Sequence, residues 1–187
     1  MRTVRHLLCW MAAAALAAAA FPLLAQTPLR VGDPAPLFSG HDQDGKSWKL
    51  SRHIGKKLVL LYFYPKDNTA GCTAEACGLR DNMPALRQLG ADVVGVSRDG
   101  KESHKKFIFK YNLDFPLLTD HGGRLADAYG ARMAGNDKMD RRVSFLIGLN
   151  GRILHVTDSP DPAVHLKEMM AAIVNLKSKA QPGEAPL

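Results

Sequence analysis

Leu58 to Arg80, LVLLYFYPKDNTAGCTAEACGLR, constrains this chain more than any other stretch. It opens as an unbroken apolar run of β-formers, the pattern of a strand buried on both faces. Pro65 ends the run and a polar loop leads to Cys72. Thr73-Ala-Glu-Ala-Cys77 then has helix-forming composition, with an acidic residue in its first turn. A cysteine therefore stands where a strand hands over to a helix N-terminus. Unpaired N–H groups and the helix dipole favour negative charge there, and the thiolate is the nucleophilic form of cysteine. The stretch reads as a reactive-thiol site.

The flanking sequence supplies the rest of an α/β domain. Phe38 to Leu50 reads as a hairpin with Asp44-Gly45 at the turn. After the cysteine helix, Pro84 forces a kink or a fresh start near Asn82. Ala91 to Ser97 is a second buried strand. Lys101 to Asn112 is an amphipathic helix with Phe107, Ile108 and Tyr111 inward and Asp99 as candidate cap. A short strand (Phe115 to Thr119) and a short helix (Gly123 to Tyr129) follow, then a polar, irregular stretch from Arg132 to Asp140. Val143 to Leu149 and Ile153 to Thr157 form a hairpin around Asn150-Gly151, and a helix from Asp161 to about Lys177 closes the domain. This order predicts a mixed central β-sheet flanked by helices, with an N-terminal β-hairpin.

The chain has 187 residues, 46% of them hydrophobic, enough for one domain with a full core. Residues 1–25 read separately as a secretory signal peptide: Arg2 and Arg5, a charge-free run from Leu7 to Leu24, then small residues before Ala25-Gln26. An uncleaved anchor is the competing reading, because the run is about as long as the shortest membrane span. Residues 26–179 form the folded domain and 180–187, with two prolines and a glycine, a flexible tail. Loss of the segment takes the formal charge from +7 to +5, since it holds two arginines and no acid. The remaining charge is sign-mixed, which excludes a nucleic-acid interface built on a basic stripe. Cleavage leaves only Cys72 and Cys77, and in an oxidising compartment two cysteines usually mean one structural disulfide.

Gly40-His-Asp-Gln-Asp-Gly-Lys46-Ser47 matches the phosphate-loop pattern in letters alone. No buried strand feeds it, no long helix leaves it, and Asp42 and Asp44 repel phosphate. His41, His53, His104, His121, His155 and His165 show no metal spacing and no evident pairing with Cys72, and receive no role.

Pro65-Lys-Asp-Asn-Thr69-Ala-Gly-Cys72-Thr73, with Cys77 five residues on, resembles the active-site signature of the peroxiredoxins, closest to their Prx Q, or bacterioferritin comigratory protein, branch. Asp42-Gln-Asp-Gly-Lys, Ser103-His-Lys-Lys-Phe, Phe115-Pro-Leu-Leu-Thr-Asp and Arg142-Val-Ser-Phe-Leu-Ile resemble further family segments, in the right order. The resemblance implies a thioredoxin-like fold and thiol-dependent reduction of hydrogen peroxide and organic hydroperoxides, in antioxidant defence. It implies no prosthetic cofactor, with a thiol reductant as co-substrate. It makes Cys72 the peroxidatic residue, Cys77 the resolving one, and Arg142 the guanidinium beside the sulfur. Thr69 is placed to reach sulfur and peroxide, and Pro65 to shield the site. Taken singly, Thr69 is an ordinary helix cap, Pro65 a strand terminator and Arg142 a surface charge; Arg141 competes with Arg142, and only the family register selects between them. Ala70 stands where the family commonly has proline, Gly148 replaces a frequent acid, and Arg132 to Asp140 does not align.

Residues five apart in a wound helix lie roughly 8.7 Å apart at Cα, whereas a disulfide needs about 6.8 Å or less. Forming Cys72–Cys77 through a sulfenic acid is thus expected to unwind at least the first helical turn. An intrachain bond suits a monomer. Export implies a periplasmic enzyme without stable membrane association after cleavage, recycled by a thioredoxin-like reductant protein. The alternatives are a periplasmic thiol–disulfide oxidoreductase, against which the C-x-x-x-x-C spacing argues, and an exported domain with one structural disulfide.

Overall fold

The computed structural model describes residues 28–180. The expected signal segment 1–25 and all of the expected tail beyond Ala180 lie outside the described residues. The elements are β1 (Ser39–His41), β2 (Ser47–Lys49), β3 (Leu58–Phe63), α1 (Ala70–Asp81), α2 (Met83–Gln88), β4 (Ala91–Ser97), α3 (Lys101–Tyr111), β5 (Leu117–Thr119), α4 (Arg124–Ala128), β6 (Val143–Ile147), β7 (Ile153–Asp158) and α5 (Pro162–Ala180).

All six residues of β3 are buried, and the strand sits at the centre of a five-stranded sheet ordered β5-β4-β3-β6-β7. It pairs parallel with β4 and antiparallel with β6. The pleat sends alternate side chains to opposite layers. Leu58, Leu60, Tyr62 and Tyr64 join a core with Leu79 of α1, Leu86 of α2, Phe107 of α3 and Ile173 of α5. Val59, Leu61 and Phe63 join a second core with Leu125 of α4, Tyr129, Phe145 and Leu50. Each large apolar side chain so buried contributes about 1.5–3 kcal/mol. Among the described residues the two faces are covered unequally: α1, α2, α3 and α5 pack on the first, whereas α4 and the β1–β2 hairpin close the second. Gly95 lets β4 pass under the aromatic layer, since a Cβ there would stand 2.7 Å from Leu117 and 2.8 Å from the Tyr62 ring.

The phosphate-like octet is strand–turn–strand. Asp42 Oδ1 accepts from the N–H groups of Asp44 and Lys46, which closes the hairpin turn. Asp99 does not cap α3, whose N-cap is Gly100 without a side-chain bond. Its Oδ2 instead accepts from the Asp67 N–H and the Ser97 hydroxyl, both 2.9 Å away. A fresh helix does start after Asn82, as Pro84 requires. The last helix runs to Ala180, three residues past its expected end.

Candidate active site

Cys72 is the third residue of α1 and only 1% exposed. The first helical hydrogen bond runs from Thr73 N–H to the Thr69 carbonyl (2.9 Å). The N–H groups of Ala70, Gly71 and Cys72 are thus left without helical acceptors, beside the sulfur. The helix starts before the Thr73-to-Cys77 segment that carried its sequence signature, so no acid occupies its first turn. Glu75 lies in the second turn and points inward, 2% exposed.

Sheet register decides which arginine meets the thiol. Phe63 pairs with Val143 and Tyr62 with Ser144, so the residue before β6 comes level with the exit of β3. Pleat parity puts Arg142 on the face of Ser144 and Leu146, toward α1. Its Nη2 donates to Cys72 Sγ at 3.3 Å and its Nη1 to Glu75 Oε2. Arg141, of opposite parity, donates to Asp158 Oδ2 (2.6 Å) and the Gly130 carbonyl (2.7 Å).

The remaining expected site residues are placed less uniformly. Pro65 is half-buried and lines a cleft of about 310 Å³ with Met133, Arg142 and Pro160. Thr69 occupies the N-cap position of α1 without capping it. Its exposed hydroxyl donates to the Lys66 carbonyl at 3.1 Å, not to Cys72. Cys77 lies half-buried at the start of the third turn of the same wound helix, and both thiols are free.

Sequence reasoning missed the groups behind the site. Burial raises Glu75 to about 7, against the opposing pull of Arg142. His165 in α5 donates from Nε2 to the Ser159 carbonyl (2.8 Å), so its Nδ1 accepts from the Ser144 hydroxyl (2.8 Å). Burial holds this imidazole below its ordinary value, hence neutral at neutral pH. On the other side of the loop, Asp67 accepts from Tyr64 Oη (2.7 Å), Ser103 Oγ (2.7 Å) and His104 Nδ1 (3.0 Å). This buried brace ties the Pro65–Thr69 loop to α3. The one legible signal was the pair Ser103-His104, which has polar groups on the inward side of an amphipathic helix. Among the described residues no group of three or more His, Cys, Asp or Glu side chains is arranged to hold a metal.

The AhpC/TSA family model matches residues 31–156. Peroxiredoxin Bcp of Escherichia coli K12 is 44% identical over 136 residues, 70% of this chain and 86% of that protein. The chloroplastic Peroxiredoxin Q of Sedum lineare is 37% identical over 147 residues, 78% of each chain. Among solved structures, Peroxidoxin BcpB from Mycobacterium tuberculosis superposes with a TM-score of 0.75 at 30% identity, covering 79% of this chain and 98% of its own. Xanthomonas campestris Peroxiredoxin Q gives 0.67 at 30% identity, covering 74% and 90%.

With its thioredoxin-like fold and these relatives, the protein is an oxidoreductase of the thiol-dependent peroxidase class. It belongs to the AhpC/TSA family, on the Bcp/Prx Q branch of the peroxiredoxins.

Proposed function

We propose that this peroxidase reduces hydrogen peroxide and organic hydroperoxides through Cys72, resolves on Cys77 within one chain, and is recycled by a thioredoxin-like reductant outside the cytoplasm. The observation that carries the reading is the Arg142 guanidinium 3.3 Å from a buried Cys72 sulfur at a helix N-terminus. The thiolate attacks ROOH, the S–O bond forms as O–O breaks, and RO⁻ leaves to take up a proton. Arg142 and the free N–H groups of residues 70–72 face the charge that develops on oxygen, as donors of an oxyanion hole do. Pro65 walls the cleft. The Thr69 hydroxyl reaches peroxide only after leaving the Lys66 carbonyl.

The resulting sulfenic acid then condenses with the Cys77 thiol, releasing water and leaving a disulfide. Both cysteines lie in a wound helix, so α1 must open first. Organic substrates suit the cleft beside Pro65, and the solved structure of a Xanthomonas campestris bacterioferritin comigratory protein is described in terms of alkyl peroxide reduction. The basic, then charge-free run of residues 1–25 supports export, which makes the reductant a periplasmic dithiol protein. Intrachain resolution supports a monomer.

The test follows peroxide loss with a thiol reductant for wild type, Cys72→Ser and Cys77→Ser. Cys72→Ser is expected to be inactive, and Cys77→Ser to react once and then stall or overoxidise. Wild type that spares peroxide but exchanges disulfides in a test protein would return the chain to the oxidoreductase reading. Fractionation checks export: a protein retained in the cytoplasm contradicts that part.

A further inference from the structure

Glu75 is a carboxylate in a place that resists carboxylates. Its side chain is fully buried, Oε2 is held by Arg142, and Oε1 has no hydrogen-bond partner among the described residues. His165 Nδ1 stands 3.7 Å from Oε1, beyond hydrogen-bonding distance. The His165 ring cannot rotate away freely, because Nε2–H is fixed on the Ser159 carbonyl at the entrance of α5. Its Nδ1 lone pair therefore takes the Ser144 hydroxyl, and Glu75 Oε1 stands near the same nitrogen. A row of neighbours results: Ser159, His165, Glu75, Arg142 and Cys72, drawn from the β7–α5 connection, α5, α1 and the residue before β6.

We infer that the buried Glu75–His165 pair carries one exchangeable proton, on Oε1 or on Nδ1, and that its presence decides whether Arg142 is shared with Glu75 or given wholly to Cys72. His165 is on this account a positioning residue, acting on the sulfur through Glu75 and Arg142. With the proton absent, ionised Glu75 competes with the thiolate for one guanidinium. With it present on either atom, the negative charge behind Arg142 is cancelled, and the thiolate gains the cation. Both placements of the proton act in the same direction. A buried carboxylate oxygen without a donor, with an imidazole close by, is a place where an added proton cancels an uncompensated charge.

Other charges face the pair. Arg142 is the cation in contact with Glu75, Cys72 lies on the same helix, and Tyr62 of β3 has its hydroxyl raised by burial and then by Glu75. Asp158 and Glu168 act on His165 from β7 and α5, opposing the effects of burial and Arg142. Burial raises Glu75 to about 7, which puts the proton within reach near neutral pH.

The inference rests on the peroxidase reading for its purpose but is tested apart from it. In a Cys77→Ser background, the rate of Cys72 alkylation by iodoacetamide is followed from pH 4 to pH 9, beside single-turnover reaction with hydrogen peroxide. The expected alkylation profile has two ionisations, one near 7. Glu75→Gln removes that one and leaves a simple profile. His165→Gln, whose amide still reaches the Ser159 carbonyl but offers no ring nitrogen to Oε1, moves it by about half a pH unit or more. A wild-type profile superimposable on that of Glu75→Gln overturns the inference. So does a His165→Gln profile identical to wild type. Two ionisations in alkylation without reaction with peroxide would leave the inference standing and remove the peroxidase reading instead.

Discussion

A Cβ placed on Gly71 would stand 3.1 Å from Arg142 Nη2, so the guanidinium reaches the thiol across a residue that has no side chain. Arg142 has little freedom to retreat without strain, because Glu75 holds its other terminal nitrogen. Gly71→Ala is therefore expected to displace Arg142 by a few tenths of an ångström. The rate of the first peroxide reaction should fall about tenfold with little change in fold, since small misplacements at a reacting centre are costly. Stopped-flow kinetics checks this; an unchanged rate means that the guanidinium has room the geometry does not show.

Glu75 also makes stability depend on pH. Its folded value of about 7 stands above the ordinary 4.5, so the folded state holds the proton more tightly than the unfolded chain. The associated stability is fully present below about 4.5 and is lost as pH rises through about 7. Relative to Glu75→Gln, wild type should lose on the order of 3 kcal/mol across that window. Urea unfolding of both proteins at several pH values measures the difference, and parallel pH profiles would contradict it.

Oxidation should open only part of α1. Its first two turns bury Cys72, Glu75 and Ala76, and the first large apolar anchor is Leu79. Asn82 Nδ2 holds the Gly78 carbonyl at 2.9 Å near the far end. In the Cys72–Cys77 disulfide form, amide exchange over residues 70–78 should accelerate at least about tenfold, while amides beyond Leu79 stay protected. Full protection of α1 with the disulfide formed would disprove unwinding.

The brace behind the loop offers a separate handle. Asp67→Ala leaves the Tyr64 hydroxyl, the Ser103 hydroxyl and His104 Nδ1 without their shared acceptor. Removing one partner from buried donors costs about 1–3 kcal/mol each. Incomplete compensation gives an expected total loss of about 3 kcal/mol, together with a slower peroxide reaction because the Pro65–Thr69 loop loses its tether. Thermal unfolding and single-turnover kinetics read the two effects.

Short-range chemistry was legible in the chain itself. The buried run from Leu58, the break at Pro84, the hairpin turns at Gly45 and Gly151, and a cysteine at the start of a helix follow from apolar period, ring constraints and turn residues that act over a few positions. Tertiary structure decided what lies across the sheet or between helices. Arg142 rather than Arg141 meets Cys72 because an antiparallel register sets its height and pleat parity sets its face. Glu75 looked like an acid favouring a helix start, but α1 begins earlier and turns it inward onto that arginine. His165 carried no local mark and His104 only its place on the inward side of α3, because their partners come from chain segments far away in sequence. Local propensity acts along the backbone, whereas the electrostatics of this site arise from distant segments that meet only when the two cores pack.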